Sequence, residues 1–197
     1  MSNKSRVLVS TCIVVFGAVL FAGCARYNMP STTPRPNEAP AADQARVFFV
    51  KPGGSWGNAE GFVLHEDKVI GYLQNRQAFY IDVPAGEHTF MSVTSNADGI
   101  QANLAGGKTY YVRLFSTPGA MSIMLGGSEN MYMEPIAPGA EGWDKRLEWV
   151  DGARLMVMNP DKCEAWQSKY AAKNAERLAQ FKSGAAQVKP MTPEMGE

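Results

Sequence analysis

Charge of a single sign is missing from this chain. Its 19 Lys and Arg stand against 19 Asp and Glu, and removal of residues 1–23 with Lys4 and Arg6 would leave 17 − 19 = −2. A body so balanced has no electrostatic footprint for nucleic acid. Histidine is scarce as well: His65 and His88 are the only two. No His-x-His or His-x₃-His spacing exists to hold a metal, and neither ring neighbours the G-x-S-x-G turn that would offer it a serine. The expectation is therefore a non-enzymatic protein with no cofactor and no metal. Long apolar runs are limited to VLVSTCIVVFGAVLFA (7–22), whose 16 residues fall short of the roughly 20 a membrane span needs. Cysteine is also sparse, with Cys12, Cys24 and Cys163 in all.

What stands at the N-terminus determines the expected address. Lys4 and Arg6 form a basic n-region, the apolar run follows, and Ala22 and Gly23 precede Cys24. This is the layout of a cleavable secretory signal. A plain peptidase site would end small-x-small, yet Phe21 occupies the −3 position relative to Cys24. The stretch Leu20-Phe21-Ala22-Gly23-Cys24 instead resembles a lipobox, the mark of bacterial lipoproteins, with Phe21 where Leu is usual. The resemblance implies a diacylglycerol thioether on Cys24, cleavage before it, and palmitate-type acylation of the new N-terminus. An uncleaved anchor is the alternative. Two or more acyl chains hold a protein on a bilayer stably. Ala25, where Asp in enteric-type bacteria would favour retention in the inner membrane, favours the outer membrane, on either face, at the periplasm or the cell surface. With Cys12 discarded and Cys24 acylated, Cys163 has no partner for an intramolecular disulfide.

Residues 25–43 contain four prolines and almost no large apolar side chain. They cannot build a core and read, with Cys24, as a tether over 24–43, on the order of 60 Å long if extended as polyproline II. Short strands with turn signals follow. ARVFFV (45–50) leads; FVLH and KVIGYL flank Glu66-Asp67; AFYIDV runs into Pro84-Ala85-Gly86; EHTFMSVTS and IQANLA flank Asn96–Gly99. After Gly106-Gly107, Tyr110, Val112 and Leu114 alternate with Thr109, Tyr111 and Arg113, a half-buried pattern. AMSIMLG (120–126) and MYMEPI (131–136) complete the set. The spacing predicts a mainly β chain, an antiparallel β-sandwich over 44–158, with a short helix near 143–150 that aligns Trp143, Leu147 and Val150. A terminal helix is expected over 159–183, opened by an Asp161/Glu164 capping box and closed by Gly184. Its apolar stripe is Cys163, Trp166, Tyr170, Leu178 and Phe181, interrupted at Asn174, and Cys163 should be buried and inert. Residues 184–197 are expected to be a disordered tail.

VPAGEHTF (83–90) and LAGGKTYYVRL (104–114) resemble bacterial lipoproteins and secreted domains of the PEGA-type and carboxypeptidase-regulatory-like β-sandwiches. Over about residues 44–136 the resemblance implies fold rather than activity, and it carries no catalytic residue.

Three contact surfaces stand out. KPGGSWGNAEG (51–61) holds Trp56 among four glycines, with Asn58 and Glu60 beside it as hydrogen-bonding groups; it reads either as a binding loop or as a lid over the end of the sandwich. Lys162, Lys169, Lys173 and Arg177 recur on the terminal helix, as a solvated face or a contact for anionic lipid. Met121, Met124, Met131, Met133, Met156 and Met158 are gap-filling core side chains or soft ligands for Cu(I); the pairs 131/133 and 156/158 would each share a strand face. These features lead to an expected lipid-anchored envelope lipoprotein that binds or scaffolds another envelope component. A peptidoglycan or surface-glycan binding module is the alternative, and a copper protein or an enzyme is a more distant one.

Overall fold

A computed structural model describes residues 35–54, 60–94, 96–118, 129–186 and 188–197. The signal, Cys24 and the first part of the tether lie outside the described residues, as do Trp56, Asn58, Met121, Met124 and the strand expected at 120–126.

The chain is mainly β and forms two packed five-stranded sheets. In order along the chain run β1 (Gln44–Lys51), β2 (Gly61–His65), β3 (Lys68–Leu73), β4 (Gln77–Pro84), β5 (Gly86–Val93), β6 (Ala97–Leu104), β7 (Thr109–Pro118) and β8 (Glu129–Pro135). They are followed by α1 (Arg146–Asp151), β9 (Arg154–Leu155), α2 (Pro160–Lys182), β10 (Val188–Met191) and a 3₁₀ turn, Pro193–Met195. The first sheet has the order β8-β7-β1-β4-β9 and the second β10-β6-β5-β2-β3. The expected antiparallel sandwich is in fact mixed: β1 with β7, β4 with β9 and β6 with β10 are parallel. The partners of each parallel pair are far apart in the chain, with several other elements between them, since parallel neighbours need a long connection and cannot be joined by a hairpin.

β1 sits at the centre and explains the layering. Ala45, Val47 and Phe49 face the second sheet and join the main core, while Phe48 and Val50 face outward into a second cluster. A strand apolar on both faces must be covered on both. The outer cover of the first sheet is α1, with Leu147 and Val150, together with Trp143 just before it. The sequence pattern placed these three on a helix near 143–150; the helix itself begins only at Arg146.

On the second sheet, Val63, Phe90 and Ser92 face inward while Phe62, Leu64, Met91 and Val93 face out, as their cross-strand register requires. α2 covers that outer face. Cys163 and Phe181 are buried, and Asn174, where the stripe breaks, is also fully buried. Helix and sheet approach closely at Gly99, where a Cβ would stand 3.0 Å from the Phe181 ring. The helix spans the expected stretch, Pro160–Lys182, but Asp161 is not its cap. Asn159 is the cap, its side chain accepting from the Lys162 amide at 3.2 Å. Pro160, whose ring presets φ and whose missing N–H is not needed there, takes the first helical position and leaves Asp161 inside the first turn.

Two segments expected to be free are docked. From Arg35 the tether lies on the body: Arg35 donates to the Tyr111 hydroxyl at 2.9 Å and pairs with Asp151, and the Glu38 carbonyl accepts from Arg46 at 2.7 Å. Gly106 lets this segment in, because a Cβ there would meet the Ala42 carbonyl oxygen at 2.0 Å. At the other end, the tail expected to fray pairs with β6 as β10, and Met191 is buried. Thr109 and Glu197 then exchange both backbone hydrogen bonds. Two prolines made this stretch look disordered, but β10 is an edge strand that bonds on one side only, where Pro190 is tolerated.

The β5–β6 turn is tighter than the Asn96–Gly99 turn expected, since Val93 already pairs with Ala97. Asn96 is thereby released to close the sandwich. Its Oδ1 accepts from the Met131 amide and its Nδ2 donates to the Met131 carbonyl, both at 2.8 Å. Asp98 accepts from the Met133 amide at 2.7 Å. Side chains of the second sheet thus satisfy the outer edge of β8 in the first. Asn96→Ala should leave the Met131 amide unpaired, while its carbonyl keeps the Ser92 hydroxyl at 3.3 Å, and cost about 1–3 kcal/mol, the penalty of one buried unsatisfied group. Chemical denaturation of the variant measures this, and a loss within error of zero would show that water replaces the amide.

Candidate ligand groove

α2 owes its position to pins along its length. Near its start Lys162 pairs with Glu60 at 2.6 Å, and at its end Lys182 pairs with Glu66 at 2.6 Å. Between them Gln167 binds the edge of the second sheet twice, accepting from the Val69 amide at 3.0 Å and donating to the Asp67 carbonyl at 2.8 Å. A helix held this way leaves a groove beside its middle turns, about 390 Å³ in volume.

One wall of the groove is aromatic. Tyr72, Phe62, Trp166 and Tyr170 form a column of rings, with centroids 5.6, 4.5 and 4.6 Å apart in turn. Phe62, Trp166 and Tyr170 line the groove, joined on the sheet side by Val93 and Thr94. The remaining wall is basic, formed by Lys173 and Arg177 one turn apart on α2. Neither makes an ion pair among the described residues. Burial draws the Arg177 guanidinium below its ordinary pKa and Glu176 partly offsets this, which leaves the arginine charged at any physiological pH. Between them on the helix sits Asn174, whose two amide atoms are buried with no hydrogen-bond partner among the described residues.

Glu60, anticipated as a binding residue, lies at the rim. Its carboxylate is already occupied, by Lys162 and by the Gln74 amide at 3.0 Å, so it neutralises Lys162 rather than presenting charge. The lysine row of α2 is accordingly broken. Lys162 turns inward over Tyr72, 3.9 Å from its centroid, and Lys169 lies against Tyr170. Only Lys173 and Arg177 of that row enter the groove. The sequence reading assigned Trp166 and Tyr170 to a packed stripe and the cations to a separate face. The signal that unites them is their spacing, 166, 170, 173 and 177, which lies along one side of a helix.

The other candidates resolve differently. His65 Nε2 and His88 Nδ1 are 2.9 Å apart, and His88 Nε2 lies 2.8 Å from the Pro84 carbonyl. That carbonyl can only accept, so His88 donates through Nε2 and receives the His65 proton at Nδ1. Burial, then the neighbouring His88, lowers the His65 pKa against the pull of Glu66. Glu66 itself is directed to Lys182 and to the Thr89 amide. Among the described residues no group of three or more His, Cys, Asp or Glu side chains is placed to hold a metal. Met131 and Met133 do share a face and are fully buried. Met156 and Met158 do not: the strand ends at Leu155, leaving Met156 buried and Met158 exposed.

Cys163 is buried against the second sheet, and burial pushes its thiol up to about 11. With that value about one thiol in a thousand is ionised at pH 8, against roughly a quarter of free cysteine. Labelling of the native protein by a thiol reagent at pH 8 should therefore run on the order of a hundredfold slower than that of free cysteine or more. Rapid labelling, or a reducible dimer through Cys163, would show the thiol to be accessible.

Comparison with family models, with curated proteins and with solved structures finds no match to this chain.

Proposed function

We propose that this chain is a bacterial envelope lipoprotein, anchored by lipid on Cys24, whose β-sandwich binds another envelope component without catalysis. The observation that carries the binding reading is the groove beside α2: an aromatic wall faced by two cations that make no ion pair among the described residues. Folding gains nothing from holding Lys173 and Arg177 together without an acid, since like charges one turn apart repel. Such an arrangement is of use to a ligand. The lipobox supports the anchoring reading, and the docked segment supports a short leash. Only ten residues, 25–34, separate Cys24 from Arg35, a span of at most about 40 Å. That is shorter than the roughly 60 Å a tether free to residue 43 would have.

A glycan-binding module is the second reading, favoured by Trp166 and Tyr170 in a groove that also offers polar groups. Rings of this kind give large, rigid contact area to a sugar face.

Replacing Cys24 by Ser tests the anchor. The variant should remain unprocessed or leave the membrane fraction, because one missing lipid attachment removes every acyl chain. Normal processing with unchanged sedimentation would overturn it.

A further inference from the structure

We propose that the groove beside α2 is a binding site for an anionic glycan, a short oligosaccharide whose sugar rings carry carboxylates; this deepens the binding reading above and rests on it. Three observations converge on that ligand.

The first is charge. Glu60 at the rim is neutralised by Lys162 at 2.6 Å, so the groove's net charge is that of Lys173 and Arg177. An anion placed between them gains charge-assisted hydrogen bonds, and arginine can hold a carboxylate through two parallel ones. The second is shape. At about 390 Å³ the groove lies near the lower end of small-ligand sites, roughly 300–1,000 Å³, which suits a few sugar rings rather than a protein surface. Trp166 and Tyr170 provide the apolar contact, and the Thr94 hydroxyl, which donates to Asn96 Oδ1 at 2.9 Å and lies 3.1 Å from the Glu129 carbonyl, marks the polar end. The third is direction. Arg35, the first described residue, binds Tyr111 and Asp151 and lies over Phe48, all on the α1 side of the first sheet. The groove is on the α2 side of the second sheet. Two packed sheets therefore separate the groove from Arg35, so a bilayer lying against the Arg35 side of the body would not meet it. This favours a glycan over an anionic lipid headgroup.

The test is calorimetric titration of the full-length chain, in a non-ionic polyoxyethylene detergent, with a trisaccharide of uronate residues and with the neutral trisaccharide of the same linkage. The acidic sugar should bind at least about tenfold more tightly, the least expected from losing one charge-assisted hydrogen bond. Added salt should narrow the difference. Lys173→Gln with Arg177→Gln should lose that preference with the thermal midpoint kept, whereas Lys145→Gln, just before α1 on the far side of the first sheet, should bind as before. Equal binding of both sugars, binding of neither, or binding only of vesicles containing an anionic phospholipid would overturn the proposal. Cys24→Ser protein titrated alongside keeps the two readings apart: the groove should bind the acidic sugar whether or not lipid is attached, and a failed anchor would leave that result standing.

Discussion

The outer face of the second sheet is too apolar to meet water, and the architecture follows from that constraint. Phe62, Leu64, Met91 and Val93 are buried on the side away from the first sheet. Leaving such side chains exposed would cost about 1.5–3 kcal/mol each, several times what a local interaction can return. α2 is the cover, and its stripe from Cys163 to Phe181 is apolar for the same reason. Pins at Glu60, Asp67 and Glu66 determine where on the sheet it lies. The aromatic column is where helix and sheet interlock, and the groove is where the cover stops short.

Closing the sandwich posed a second, polar problem. Edge strands present unpaired backbone groups that either recruit other chains or must be satisfied. β8 is satisfied by Asn96 and Asp98 from the opposite sheet, and the edge of β3 by Gln167 from α2. β6 is covered by β10. Each solution uses a residue far along the chain, so the termini of the body are structural. Arg46 shows the same economy. It donates to both oxygens of Asp82, at 2.7 and 2.8 Å, and also to the Glu38 carbonyl of the docked segment.

Buried polar groups outside these closures mark places where packing alone does not explain the residue. Lys51 is fully buried, and burial lowers its ammonium pKa while Glu129 pulls it back. Its position in the main core, at the end of β1, makes it part of the sandwich rather than of the groove. The histidine pair is likewise internally satisfied: each ring bonds the other and both stack on Phe90. Asn174 differs, since its amide is buried without a partner among the described residues and lies on the helix between the two cations of the groove.

Much of the local structure was legible in the sequence. Alternation in Tyr110–Leu114, the paired turn at Glu66-Asp67 and the apolar stripe of α2 depend on neighbours a few residues apart, and those periodicities are intrinsic to strand and helix. The mainly β class with a terminal helix follows from them. Parallel pairings, the docking of Arg35 and the ordering of Val188–Met191 were not legible, because each depends on an open edge or a cleft built by residues distant in sequence. The groove shows the same division. Glu60 and the cation row could be singled out along the chain, but not that Lys162 would be consumed by Glu60 while Lys173 and Arg177 line the groove beside Trp166 and Tyr170 with no ion pair among the described residues. By itself the sequence determined which segments are strand and helix, since backbone periodicity is a local property. The tertiary structure alone decided which charges are paired and which rings share a wall, because both are distances across the fold.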